Sequence, residues 1–142
     1  MTLRISSIES LLRGISADVL AGEKLSVMVG DTVRVRLDVD YRGPDLDAAI
    51  HVSYGFQNTW FNEDGAKQKD IPAYFDASMN WVTYHFYCDV PIGGAYGAGY
   101  DLYAKIMGVP GPDIFSPTLL NVLDVMGAAE FRSFGIAGYE KI

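Results

Sequence analysis

Apolar and polar residues alternate with a period of two through most of this chain. The cleanest run is Thr32 to Tyr41, where Val33, Val35, Leu37, Val39 and Tyr41 fall on one side and Arg34, Arg36, Asp38 and Asp40 on the other. Period-two alternation places the two sets on opposite faces of a strand. Leu25 to Val29 predicts a strand before it, separated by the turn Gly30-Asp31, and Arg42-Gly43-Pro44-Asp45 supplies turn chemistry after it. Alternation resumes from Ala48 to Phe56, with Ile50, Val52, Tyr54 and Phe56 on one face. Tyr100 to Met107 and Thr118 to Met126 close the series, the latter with Leu123 and Val125 inward. Six or seven strands without helical crossovers predict an all-β antiparallel sandwich, and the chain shows no repeat at solenoid or propeller periods.

The stretch Met79 to Val90 departs from simple alternation. Val82, Tyr84, Phe86, Cys88 and Val90 share one face, and Trp81, Thr83, His85, Tyr87 and Asp89 share the other. A half-buried strand is apolar on one side and polar on the other, whereas this one is apolar on one side and largely aromatic on the second. One face is assigned to the core. The second needs a cover, supplied by the chain's own ends or by another molecule.

The intervening segments read differently. Gln57 to Tyr74 is a polar excursion with a short strand expected near Trp60. Pro91 to Gly99 carries four glycines and reads as a flexible hairpin loop, and Gly108 to Pro117 is too rich in Gly and Pro for a ladder. Residues 1–22 form an arm with two competing readings. Ser6 and Glu9 have capping-box spacing, and Ile8, Leu11, Leu12 and Ile15 recur at helical intervals. The other reading makes Leu3 to Ile8 and Ile15 to Leu20 extended, since Ile and Val favour strands. Residues 127–142 form a second arm, in which Phe131, Phe134, Ile136, Tyr139 and Ile142 are too many large apolar groups for a solvated tail. The organisation expected is an N-terminal arm (1–22), a sandwich (23–126) and a C-terminal arm (127–142).

Composition narrows the function classes. At 142 residues the chain fits one domain. Nine Tyr and seven Phe favour all-β structure. A formal net charge of −7 argues against nucleic acid, whose phosphates require Lys and Arg, and against an anionic membrane surface. No apolar run is long enough to span a membrane, and no signal peptide is visible at the N-terminus, so Met1 as first residue favours a chain that is not exported by that route. Cys88 is the only cysteine, which excludes an internal disulfide and reads as a structural thiol on the inward face.

Ala21-Gly22-Glu23-Lys24, Val29-Gly30-Asp31-Thr32-Val33 and the run Arg34 to Gly43 resemble the opening strands of bacterial and archaeal immunoglobulin-like modules. Gly99-Tyr100-Asp101-Leu102-Tyr103-Ala104-Lys105-Ile106 with Ser116-Pro117 resembles their penultimate strand and the turn after it. The resemblance covers about residues 21–126, in the style of cell-adhesion-related domains of prokaryotic surface proteins and of comparable modules on phage virions. It implies that Tyr100 stands where such domains carry a corner tyrosine, and that Leu102 takes the place of a disulfide cysteine. The two apolar arms and the missing secretion signal set this chain apart from a free-standing secreted module.

Catalytic and metal signatures are weak. Counted from Asp38, an EF-hand would need a carboxylate or Asn at Arg42 and a Glu at Ala49, so the acidic group Asp38, Asp40, Asp45 and Asp47 fits a solvated strand face paired with Arg34 and Arg36 better than a calcium loop. His51 and His85 lack further donors, and Cys88 points away from His85 on the same strand. The chain has no G-x-S-x-G and no H-E-x-x-H. Glu63 and Asp64 beside Trp60 and Phe61 would point to opposite faces of a strand, which disfavours glycoside hydrolysis. The expectation is a non-enzymatic assembly protein without cofactor or metal, a virion decoration protein or similar coat or filament subunit. Its contacts with protein partners, copies of itself included, are assigned to Trp81, His85, Tyr87, Leu11, Leu12, Phe131, Phe134 and Tyr139. A carbohydrate- or cell-surface-binding module using Trp60, Trp81 and Tyr87 is the alternative.

Overall fold

The run from Thr32 builds the centre of one of two stacked sheets. The computed structural model describes residues 1–55, 68–93 and 97–127. Among them are β1 (Thr2–Ser10), β2 (Ser16–Ala17), β3 (Leu25–Met28), β4 (Thr32–Gly43), β5 (Leu46–Gly55), β6 (Gln68–Phe75), β7 (Ser78–Pro91), β8 (Gly97–Met107), β9 (Ile114–Phe115) and β10 (Leu119–Met126), with a single 3-10 turn at Val19–Ala21. One sheet has the order β2-β1-β4-β7. The other has the order β3-β10-β8-β5-β6, with β9 also pairing to β8. The molecule is an all-β, two-sheet sandwich. Its pairing is antiparallel except for β3, which runs parallel to β10 from Leu25↔Leu123 to Met28↔Met126.

The alternating apolar sets meet between the sheets. Val33, Val35, Leu37, Val39 and Tyr41 from β4 are buried against Ile50, Val52 and Tyr54 from β5 and against Leu102, Ala104 and Ile106 from β8. Each such aliphatic side chain contributes about 1.5–3 kcal/mol when fully buried. An aromatic cluster closes one end of the core. Phe75 on β6 stacks on Tyr41 at 4.8 Å and meets the edges of Tyr84 at 5.0 Å and Phe86 at 5.7 Å. Toward the other end Tyr100 packs edge-on to Tyr54 at 5.3 Å. Its ring lies so close to Gly97 that a Cβ there would fall 2.8 Å away, so any side chain at this position would have to displace the Tyr100 ring.

Within residues 1–22, Thr2–Ser10 and Ser16–Ala17 are strands joined through a turn at 11–13, and the helical reading of this segment is corrected. Leu3, Ile5 and Ile8 are all buried although five and eight differ by an odd number. The register explains it: Ile5 pairs with Leu37 and Ser7 with Arg36, so Ser6 is an extra residue in a β-bulge. A bulge turns a period of two into a spacing of three, which imitates a helix. Leu3, Ile5, Ile8, Ala17 and Val19 enter the common core. The hairpin between β1 and β2 is tied down by Asp31, which is buried and accepts from Ser10 Oγ at 2.5 Å, from the Leu12 N–H at 3.0 Å and from the Thr32 N–H at 2.6 Å.

Two further strands stand where loops are expected. Gln68–Phe75, inside the polar excursion, is β6, an outer strand of its sheet. Ile114–Phe115, inside the Gly- and Pro-rich stretch, is β9, paired with Lys105 and Ile106. In both cases the flanking Pro, Gly and charge describe an edge position that the alternation rule does not capture. Trp60, with Glu63 and Asp64, lies outside the described residues.

Cys88 is buried as expected of a structural thiol, and its S–H donates to the Lys69 carbonyl at 3.7 Å. Burial, reinforced by the neighbouring Asp89 charge, pushes its pKa up to about 12. Since the thiolate is the reactive form, the native protein is expected to resist thiol alkylation at neutral pH and to react completely once unfolded in denaturant. Mass spectrometry after iodoacetamide treatment reads this directly, and rapid native labelling would contradict it.

Candidate protein-contact face

The residues that alternate away from the core on β1, β4 and β7 form one outer face. The register sets them in rows: Glu9, Arg34 and Asp89; Ser7, Arg36 and Tyr87; Arg4, Asp38 and His85; Thr2, Asp40 and Thr83. Rows of this kind bring side chains within contact range across neighbouring strands. Arg4, Arg34 and Arg36 lie among Glu9, Asp38, Asp40 and Asp89, so most of the charge on the face is paired.

Arg34 clamps Asp89 with two parallel bonds, Nε to Oδ1 at 2.8 Å and Nη2 to Oδ2 at 3.0 Å. The hydrogen bond to Asp89 raises the Arg34 pKa, and the bond from Arg34 holds the Asp89 carboxyl below its usual range. Thr83 Oγ1 donates to Asp40 Oδ1 at 2.7 Å and Arg4 Nη1 to Asp40 Oδ2 at 3.0 Å. These two bonds, Thr83 first, lower the Asp40 pKa as well. Asp38 is buried beneath its partners, with Arg4 Nε at 3.7 Å, Arg36 Nε at 3.4 Å and His85 Nδ1 at 2.7 Å. Arg36 Nη2 also lies 3.2 Å from His85 Nδ1. One ring nitrogen cannot both donate and accept. The shorter contact to a carboxylate assigns the proton to Nδ1. Arg36 Nε has no aligned hydrogen bond, so its contact with Asp38 is electrostatic.

Two aromatic side chains rise from this charge-paired floor. Trp81 is 55% exposed with the Arg42 guanidinium 4.7 Å from its ring centroid, and Tyr87 is 56% exposed with Arg34 at 5.9 Å. Both distances fall in the range where a cation is attracted to a ring face. A hollow of about 360 Å³ beside Trp81 is lined by Thr2, Asp40 and Thr83. The first arm does not cover this face, because it joins the sheet edge-on through β1.

The expected contact residues are therefore dispersed. Trp81, His85 and Tyr87 share the face with Thr83 and Asp89. Leu11 and Leu12, 41% and 65% exposed, sit at the tip of the β1–β2 hairpin. That tip adjoins Thr32, whose neighbour on β7 is Pro91. Ten residues of strand, roughly 33 Å, separate it from Trp81. Phe131, Phe134 and Tyr139 lie outside the described residues. Arg42, which orients Trp81, went unnoticed in the sequence because it reads as a turn residue. Phe115 was hidden in the same way. It is exposed on the other sheet, stacked on Tyr103 at 6.0 Å with Lys105 Nζ 5.8 Å from its ring.

The acidic residues do not converge. Asp45 accepts from the Ala77 N–H at 2.6 Å, far from the ion pairs of Asp38 and Asp40, and His51 pairs with Asp70 at 2.5 Å on the opposite sheet. Among the described residues no group of three His, Cys, Asp or Glu side chains is placed to hold a metal ion, and no helix is long and apolar enough to cross a membrane. Comparison with protein-family models and with curated proteins finds no match.

Proposed function

We propose that this chain is a non-enzymatic structural subunit that works by protein–protein contact, an immunoglobulin-like sandwich built into a larger coat or filament. The observation that carries the reading is the pair Trp81 and Tyr87, raised above a floor whose charges already satisfy one another. A partner covering such a face meets charges that are mostly paired already, which lowers the cost of burying ions. Covering the exposed half of each ring contributes roughly 2–3 kcal/mol, and aromatic anchors of this type dominate protein interfaces.

The strand order β1-β4-β7 against β10-β8-β5-β6 supports the immunoglobulin-like assignment, as it corresponds to A-B-E against G-F-C-C′ in that fold's lettering. Buried Tyr100 at the start of the penultimate long strand is consistent with it. The resemblance to modules carried on phage virions makes the outside of a capsid, or a similar extracellular coat, the proposed setting. Partners are other coat subunits or copies of this chain, and no cofactor takes part.

Sedimentation of the full chain tests this. The parent protein is expected to run above 15.6 kDa, and the double variant Trp81→Ala, Tyr87→Ala to lose that association while melting within about 1 kcal/mol of the parent, as exposed positions do. A parent that stays at the monomer mass, with Trp81 fully accessible to acrylamide quenching, defeats the reading. The hollow beside Trp81, with its indole wall and the polar groups of Thr2, Asp40 and Thr83, favours carbohydrate binding as a second reading. A glycan array with a Trp81→Ala control separates the two: specific binding lost in the variant would select the carbohydrate module.

A further inference from the structure

The free edge of β7 carries information separate from its outer face. In a strand the N–H and C=O of successive residues point to opposite edges. The Leu11 N–H donates to the Thr32 carbonyl at 3.0 Å, so Thr32 and the other even residues of β4 aim toward β1, and the odd ones toward β7. The Ile92 N–H donates to the Asp31 carbonyl at 2.9 Å, which carries the same phase across. Pairing runs unbroken from Thr32↔Pro91 to Tyr41↔Val82. Hence the even residues of β7 bond to β4, and Trp81, Thr83, His85, Tyr87 and Asp89 aim their backbone groups off the sheet. Pro91, which has no N–H, falls in the outward set as this phase requires. Among the described strands none lies beyond β7 on that side.

The other sheet edges are protected. β2 has two residues and β3 four, and β6 carries Lys69, Asp70 and Pro72. Shortness, charge and proline are the devices by which proteins prevent edge-to-edge pairing. β7 carries such groups only at its end, where Asp89 and Pro91 stand. It is 14 residues long, rich in aromatic and β-branched residues, and Asp89 is its single charged residue.

The geometry points to a second copy of this chain as the strand that occupies this edge, laid antiparallel across a two-fold axis so that the sheet continues through both molecules. The inference rests on the assembly reading above and names its partner. A strand opposed to its own copy matches donors to acceptors automatically, because each outward residue from Trp81 to Asp89 offers one of each. With Asp89 the only charge, no such register sets like charges opposite unless the axis passes through Asp89 itself. With the axis at Phe86, Thr83 faces the copy's Asp89, His85 the copy's Tyr87 and Trp81 the copy's Pro91. Hydroxyl then meets carboxylate and ring meets ring.

Proline at position 83 removes an outward N–H and spares the ladder to β4, whereas Thr83→Ala removes only the side chain. The parent is expected at twice 15.6 kDa, with the amides of Thr83, His85 and Tyr87 gaining protection from hydrogen exchange as concentration rises. Thr83→Ala should keep the dimer and Thr83→Pro should lose it. Thr83→Glu, which sets a carboxylate opposite the copy's Asp89, should lose it too and decides the matter if the proline variant fails to fold. Outward amides that exchange freely in the dimer, or that are protected in a monomer at every concentration, overturn the proposal, the latter because the chain then covers its own edge. A protein whose mass falls in the Trp81→Ala, Tyr87→Ala variant but not in Thr83→Pro or Thr83→Glu refutes edge pairing and leaves the assembly reading standing.

Discussion

Phe75→Ala should be the most damaging single truncation in the sandwich, with a loss of about 3–5 kcal/mol. For a domain near this size that corresponds to a fall in Tm on the order of 10–20 °C. Phe75 is fully buried and touches Tyr41, Tyr84 and Phe86. It comes from β6 in one sheet, and its three ring partners come from β4 and β7 in the other. Truncation thus removes the transfer free energy of a benzyl group and opens a cavity at the point where the sheets are clamped. The three rings around it are fixed on two paired strands, β4 and β7, and cannot close the gap without moving backbone. Tyr74→Ala is the matched control, since its neighbour on β6 is exposed on the other face. Urea unfolding of both variants gives the comparison. A Phe75→Ala loss no larger than that of Tyr74→Ala would show that the clamp lies elsewhere.

Asp31→Ala should follow, with a loss of about 2–4 kcal/mol. The effect does not come from the carboxylate's packing. Removing it leaves the Ser10 hydroxyl and the Leu12 and Thr32 N–H groups without the acceptor they share, and the buried Ser10 hydroxyl then carries its full desolvation cost. Ser10 Oγ in turn accepts from the Arg13 N–H at 3.1 Å, so the disturbance should spread along the β1–β2 hairpin. Amide exchange at Leu12 and Arg13 should accelerate well before global unfolding, while β8 and β5 stay protected. Asp31→Asn, which keeps an oxygen acceptor, should lose less. Uniform loosening of the whole sandwich in Asp31→Ala would contradict a local staple.

Much of the sandwich could be read directly. The alternation in β4, β5, β8 and β10 assigns each strand its buried face, because a period of two admits one solution once the apolar set is known. The buried apolar side chains of β4 are the five named from the sequence, and Asp38 is buried beside them. In β7 the same rule placed Cys88 and Val90 inward and Trp81, His85 and Tyr87 outward, as observed. It also set Val82 inward, and that residue is exposed near the strand's start. β1 was ambiguous because the bulge at Ser6 disguises its period, and β6 was missed because Lys69, Asp70 and Pro72 are edge residues in a strand that buries only Ala73 and Phe75.

The amino-acid sequence by itself determined that this protein is all-β, which faces of its main strands are apolar, that its one thiol is interior, and that the strand from Ser78 to Pro91 carries aromatic groups on both sides. Only the tertiary structure decided which strands are neighbours. Neighbourhood in turn decided that Arg34 meets Asp89, that Arg42 lies over Trp81, that Asp31 fastens a hairpin about twenty residues upstream, and that β7 ends its sheet. The physical reason is that alternation is a property of one strand with its nearest residues, whereas pairing is chosen among strands far apart in the chain by how well whole faces and hydrogen-bond rows fit together.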